Sequence, residues 1–185
     1  MMFLSHGTQD LYPDFLQEVH RVSAAVRANV AVIYNLGAVV GAIAFGHFSQ
    51  KIGRRKSIIM ALGLSLAVIP LWAFGVNLPA LIVGAILMQT GVGGAWGVIP
   101  VHLNELSADA ARGLIPGLAY QLGILFASPT NSMQYALRAR VGYQWAIAGF
   151  EMATIVTLAV IVWSGREAHA RSFVRDANVS DSDGL

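Results

Sequence analysis

Residues Ala28 to Phe48 read ANVAVIYNLGAVVGAIAFGHF, and Ser49 and Gln50 lead on into KIGRRK at Lys51 to Lys56. The first part carries no charged residue. A bilayer core is about 30 Å thick, so a helix needs roughly 20 mostly apolar residues to cross it. The second part closes that run with Lys51, Arg54, Arg55 and Lys56. An uncharged run of bilayer length that ends on a basic cluster is the pattern of a membrane-crossing helix with its cytoplasmic flank.

Working outward, four more segments read the same way: Ser57 to Val76, with a kink expected at Pro70, Leu78 to Leu103, Leu114 to Ser128 and Tyr143 to Trp163. The Leu114 segment is short and reaches bilayer length only by running past Pro129 toward Met133. Met1 to Leu16 is too short to span and reads as the end of a helix that begins upstream. The expected fold class is an all-α membrane protein of five transmembrane helices plus a helix stub. Residues 1–163 form its helical membrane part and residues 164–185 a polar, solvated tail. Composition agrees: 56% of the residues are hydrophobic, 12% are charged and the mean hydropathy is +0.60. Soluble domains carry about 25% charge.

The basic residues set the expected orientation. Lys51, Arg54, Arg55, Lys56, Arg112, Arg166, Arg171 and Arg175 fall on one side, and Arg21, Arg27, Arg138 and Arg140 on the other. The richer side, which includes the C-terminus, is assigned to the cytoplasm. The net charge of +2 does not point to nucleic acid, because the basic residues flank apolar runs and form no aromatic-interleaved patch. Without cysteine there is no disulfide and no thiolate metal site. His102 and Glu105 alone do not make a zinc site. No phosphate-binding glycine loop or nucleophile–base pair is visible, so neither an enzyme nor a cofactor is expected. Gly37 and Gly41, Gly93 and Gly97, and Gly113 and Gly117 are each four apart, a spacing that lets helices approach closely in lipid.

Three stretches carry chemistry. The first is Ser5-His6-Gly7-Thr8-Gln9-Asp10. His6 and Asp10 are one turn apart, so on a helix they share a face. Ionisable groups in a membrane helix are expensive unless they face a bundle interior or water. Imidazole titrates near neutral pH, so such a pair suits taking up a proton and then attracting an anion. The second is GVGGAWGVIPVHLNELS at Gly91 to Ser107, followed by Arg112. Glu105 and Arg112 are expected to pair across that loop, and Pro100 to let the helix bend. The third is the basic loop at Gly46 to Lys56. Asn35 and His47 read as interhelical hydrogen-bond partners. Glu151, near the middle of the last span, reads as a buried neutral carboxyl bonded to a neighbouring helix, with a proton site as the alternative.

The basic loop resembles the signature of the major facilitator superfamily, Asp-Arg-x-Gly-Arg-Arg-Lys after a glycine. Lys51, Gly53, Arg54 and Arg55 fall within it, and Gln50 stands where the family has an acid that helps hold a gate closed. The Ser5 to Asp10 stretch resembles a signature in the seventh helix of the fungal lactate and pyruvate permeases. It matches at Ser5, His6, Thr8, Gln9 and Asp10 and departs at Met2 and Asp14. Pro116 to Gly123 is similar to that family's eleventh helix: Gln121 matches a residue of the substrate path, and Ile124 replaces an Asn. The resemblance implies the C-terminal half of a facilitator that moves short monocarboxylates such as lactate or pyruvate with protons. His6, Asp10 and Gln121 would line the path, supported by Thr8 and Gln9. No Lys or Arg lies within the expected spans, so the anion's main cation would come from an N-terminal half. The other reading is a truncated, non-transporting membrane fragment, or an interaction partner of a full-length permease. The expected location is an integral membrane position, in the plasma membrane, with the C-terminus cytoplasmic.

Overall fold

The computed structural model describes residues 1–107 and 114–165, and among these every regular element is a helix. In chain order they are α1 (Met2–Gln9), α2 (Tyr12–Glu18), α3 (Ala24–Ile52), α4 (Arg54–Phe74), α5 (Leu78–Leu106), α6 (Leu114–Ala127), α7 (Thr130–Val141) and α8 (Tyr143–Ser164). Four of them, α3, α4, α5 and α8, are long and apolar enough to cross a bilayer. The expected polar tail and Arg112 lie outside the described residues, apart from Ser164 and Gly165 at the tail's start.

The expected Leu114 to Ser128 span is divided. Helix α6 has 14 residues, about 21 Å at 1.5 Å per residue, and falls short of the bilayer core. Pro129 has no N–H to continue the ladder, and it disfavours helical geometry at Ser128. The Ser128 hydroxyl donates to the Leu125 carbonyl at 2.8 Å and the Thr130 hydroxyl to the Ala127 carbonyl at 2.6 Å. These bonds satisfy carbonyls that the break frees. The chain then forms α7, which is 12 residues long and ends on Gly142 at φ 85°. Pro70, by contrast, lies inside an unbroken α4.

Helix α5 is the centre of the bundle. A Cβ on Gly41 would lie 2.0 Å from the Thr90 carbonyl oxygen, and one on Gly93 would lie 2.2 Å from that of Ala38. The two glycine pairs of α3 and α5 thus meet in one backbone-to-backbone seam. Gly117 does not join it, with nothing within 4 Å of its Cβ position, and Gly113 lies outside the described residues. On its other side α5 packs on α4, and α4 packs on α8. At one end Tyr12 of α2 stacks on Trp72 at 5.1 Å and donates to the Trp72 and Leu81 carbonyls, both at 3.1 Å. That anchor fixes where α1 enters, against α5, α6, α7 and α8. Val32, Leu36, Val39, Val40 and Ile43 of α3, and Leu118, Leu125 and Phe126 of α6, remain exposed.

Two expected interhelical contacts are not formed among the described residues. Asn35 donates to the Ala31 carbonyl of its own helix at 2.7 Å, and exposed His47 meets Phe48 edge-on. Both lie on the outer face of α3, where no neighbouring helix reaches them.

Candidate substrate and proton path

Helix α1 presents the six-residue polar stretch to two environments. His6 and Asp10, one turn apart, meet at 3.0 Å between Nδ1 and Oδ2, with side chains 41% and 36% exposed. Asn131 of α7 donates to the same Asp10 oxygen at 3.3 Å. Thr8 points inward: its hydroxyl donates to the Leu4 carbonyl at 2.8 Å and accepts from the Gln89 amide of α5 at 3.1 Å. Gln9 in turn donates to Gln89 Oε1 at 2.9 Å. The result is a relay, Gln9 to Gln89 to Thr8, that couples α1 to α5 across an otherwise apolar interface.

Between α1, α3, α5 and α6 lies an open cavity of about 570 Å³, within the range of small-molecule sites. Its polar groups are Ser5, His6, Gln9 and Gln89, and its walls include Trp96, Tyr120, Ile124, Val92 and the small residues Ala38, Ala42 and Gly93. Trp96 and Tyr120 meet edge-on at 6.0 Å. Among the described residues no Lys or Arg lines the cavity, and His6 is the basic side chain in its walls. Thr8 and Asp10 stand behind it as partners of Gln89 and His6. Gln121 is exposed on α6 and is not among the lining residues; its neighbour Tyr120 and the departing Ile124 line the cavity instead.

At the opposite end, Gly53 at φ 95° turns the chain between α3 and α4. The turn aims Arg54 inward. Its Nε lies 3.2 and 3.1 Å from the two Glu105 oxygens, its Nη2 lies 2.9 Å from Oε1, and its Nη1 donates to Ser49 at 2.6 Å. Glu105 is 1% exposed, so this is a buried, forked pair. The expected partner Arg112 lies outside the described residues, and the Glu105 carboxylate is held by Arg54. Arg55 donates to the Val162 carbonyl at 3.0 Å and to that of Trp163, binding the end of α8. Cations there also complement the helix C-terminus. Lys51 is exposed.

The sequence reading missed Gln89, Asn131 and Gln134. Gln89 had a usable signal, because an amide in mid-span is expensive unless it is bonded inside the bundle.

The sugar (and other) transporter family model matches residues 3–169. The carboxylic acid transporter protein homolog of Saccharomyces cerevisiae is 33% identical over 139 residues, which cover 75% of this chain and 22% of that protein. The probable polyol transporter 3 of Arabidopsis thaliana is 35% identical over 118 residues, covering 62% and 23%. The quinate permease of Neurospora terricola is 33% identical over 154 residues, covering 76% and 29%. The matched part of this chain thus spans less than a third of each of these relatives.

Proposed function

Since the chain belongs to the sugar (and other) transporter family, within the major facilitator superfamily, we propose that it is one wall of a carrier that moves a short monocarboxylate together with a proton. The observation that carries this reading is the His6–Asp10 contact at the edge of a cavity with no other cation in its walls. A proton taken up by His6 offsets the Asp10 carboxylate, which would otherwise repel an anion from the cavity. A small carboxylate then has a charge to bind, with Gln9 and the Gln89 relay as hydrogen-bond donors. Loss of the anion removes the reason to keep the proton, so the two move together. The similarity to the yeast carboxylic acid transporter homolog supports the substrate class. The other wall, and any further cation, would come from an N-terminal half or from a related permease. The location we propose is the plasma membrane, with Lys51 to Lys56 and the C-terminus in the cytoplasm.

A second reading has its own support. Gln9 and Gln89 suit hydroxyl groups as well as a carboxylate, and polyol and glucose transporters are among the relatives. The test is uptake by the chain joined to the N-terminal part of the yeast relative, in cells lacking other permeases. Labelled lactate accumulation that rises with external acidity supports the carboxylate reading. Uptake that is insensitive to pH and is competed by polyols but not by lactate overturns it.

A further inference from the structure

We propose that Glu151 and Gln134 form a proton-binding site inside the bundle, a carboxylic acid–carboxamide pair seated against Gly7. Glu151 of α8 is fully buried and Gln134 of α7 is 1% exposed. The Gln134 amide nitrogen lies 3.3 Å from Glu151 Oε1 and 3.1 Å from the Gly7 carbonyl oxygen, so both of its N–H groups are used. Two buried oxygens are then left without a partner, Glu151 Oε2 and Gln134 Oε1. They belong to the two side chains that already share a hydrogen bond. As a carboxylate and an amide they are two acceptors and cannot serve each other. One proton on Oε2 makes it a donor, and the leftover amide oxygen is the acceptor it needs. A single proton thus satisfies both orphans. Buried polar groups are nearly always partnered, and a buried charge with no cation hydrogen-bonded to it tends to neutralise instead.

The seat is shaped for the carboxyl. A Cβ on Gly7 would lie 1.8 Å from Glu151 Oε1 and 3.0 Å from the Gln134 amide nitrogen. Just before α1, the Met1 amino group is the charged group that couples to Glu151. From α7 the facing group is the uncharged Gln134. The basic residues of α4 sit at its start, where Arg55 meets Val162 and Trp163, about three turns from Glu151. Gly7 directly follows His6, and Asn131, which bonds Asp10, lies one turn from Gln134. Helix α7 therefore holds α1 by two amides, Asn131 at Asp10 and Gln134 at Gly7. Losing the Glu151 proton would leave Glu151 Oε2 and Gln134 Oε1 as two acceptors with no donor between them, and α1 would loosen from α7 and α8. The site does not depend on which solute is carried.

The purified chain in lipid nanodiscs gives the test. Infrared spectra at neutral pH should show the carbonyl band of a protonated carboxylic acid, absent in Glu151→Gln. In Gln134→Leu the band should persist but shift, because its amide partner is gone. Hydrogen exchange in α1, corrected for the intrinsic rate, should rise with pH in the wild type and stay flat in Glu151→Gln, whose amide mimics the neutral acid. Absence of any acid band, an unshifted band in Gln134→Leu, or flat wild-type exchange would overturn the proposal. The Gln134→Leu and wild-type measurements decide it even if Glu151→Gln does not fold.

Discussion

The His6–Asp10 contact is half open to solvent, and its worth to folding is small, about 0–1 kcal/mol. That separates its role in transport from any role in stability. With the chain restored to the length of its relatives, Asp10→Asn should leave the melting temperature nearly unchanged. It should lower proton-coupled lactate uptake about tenfold, because Asp10 then no longer holds the imidazole that lines the cavity. Asp14 is the internal control. It also has partners, Tyr135 at 3.1 Å and Arg27 at 3.8 Å, but it does not line the cavity. Asp14→Asn should therefore leave uptake within about twofold at matched surface level. Equal effects of the two substitutions would remove the His6–Asp10 site from consideration. Gln89→Leu tests the relay. Losing one hydrogen bond to the solute-facing Gln9 is worth about 1 kcal/mol, so the apparent KM should rise several-fold with expression maintained.

At the scale of elements, the α3–α4 corner is tied to α5 by the buried Arg54–Glu105 pair. Breaking one partner of such a pair costs about 3–5 kcal/mol, whereas replacing both by apolar residues is often neutral. Glu105→Gln should therefore destabilise the detergent-solubilised chain strongly. Arg54→Met with Glu105→Leu should recover much of the loss, as read by thermal unfolding. The α3–α5 seam makes a sharper demand: Gly93→Val drives a side chain into the Ala38 backbone, a change that overpacking series put at about 1–3 kcal/mol or more. These contacts also show what was legible beforehand. The His6–Asp10 pairing was legible because an i, i+4 relation is local, and the glycine seam because small residues at that spacing have few other uses in lipid. The partner of Glu105 was not: Arg112 is nearer in the chain, while Arg54 lies 51 positions away. Gln89 required knowing which face of α5 meets α1. Asn131 and Gln134 lie beyond Pro129, where the length argument had all but ended the span. Gln121 followed from a family match, and its own helix turns it away from the cavity.

At the scale of the whole molecule, an apolar face along α3 and α6 is exposed among the described residues. Expressed alone, the chain should insert with its C-terminus cytoplasmic, and an impermeant reagent should fail to reach a tag at Leu185 in intact cells. It should not support relative-like uptake, since its cavity is open and its matched part spans less than a third of each relative. The division of α6 from α7 has a further consequence, for how the ribosome delivers this chain to the membrane. The insertion machinery judges segments by apolar length, and charged residues count against a segment. Helix α6 is short, and α7 carries Arg138 and Arg140. Neither is a good insertion signal. The segment should therefore hesitate at the exit site until α8 emerges and the two enter together as a hairpin, the Arg138 end drawn across by its pairing with Glu18 at 2.9 Å. A glycosylation acceptor placed after Val141 should be modified efficiently in chains that continue through Ser164, and poorly in chains that stop before α8.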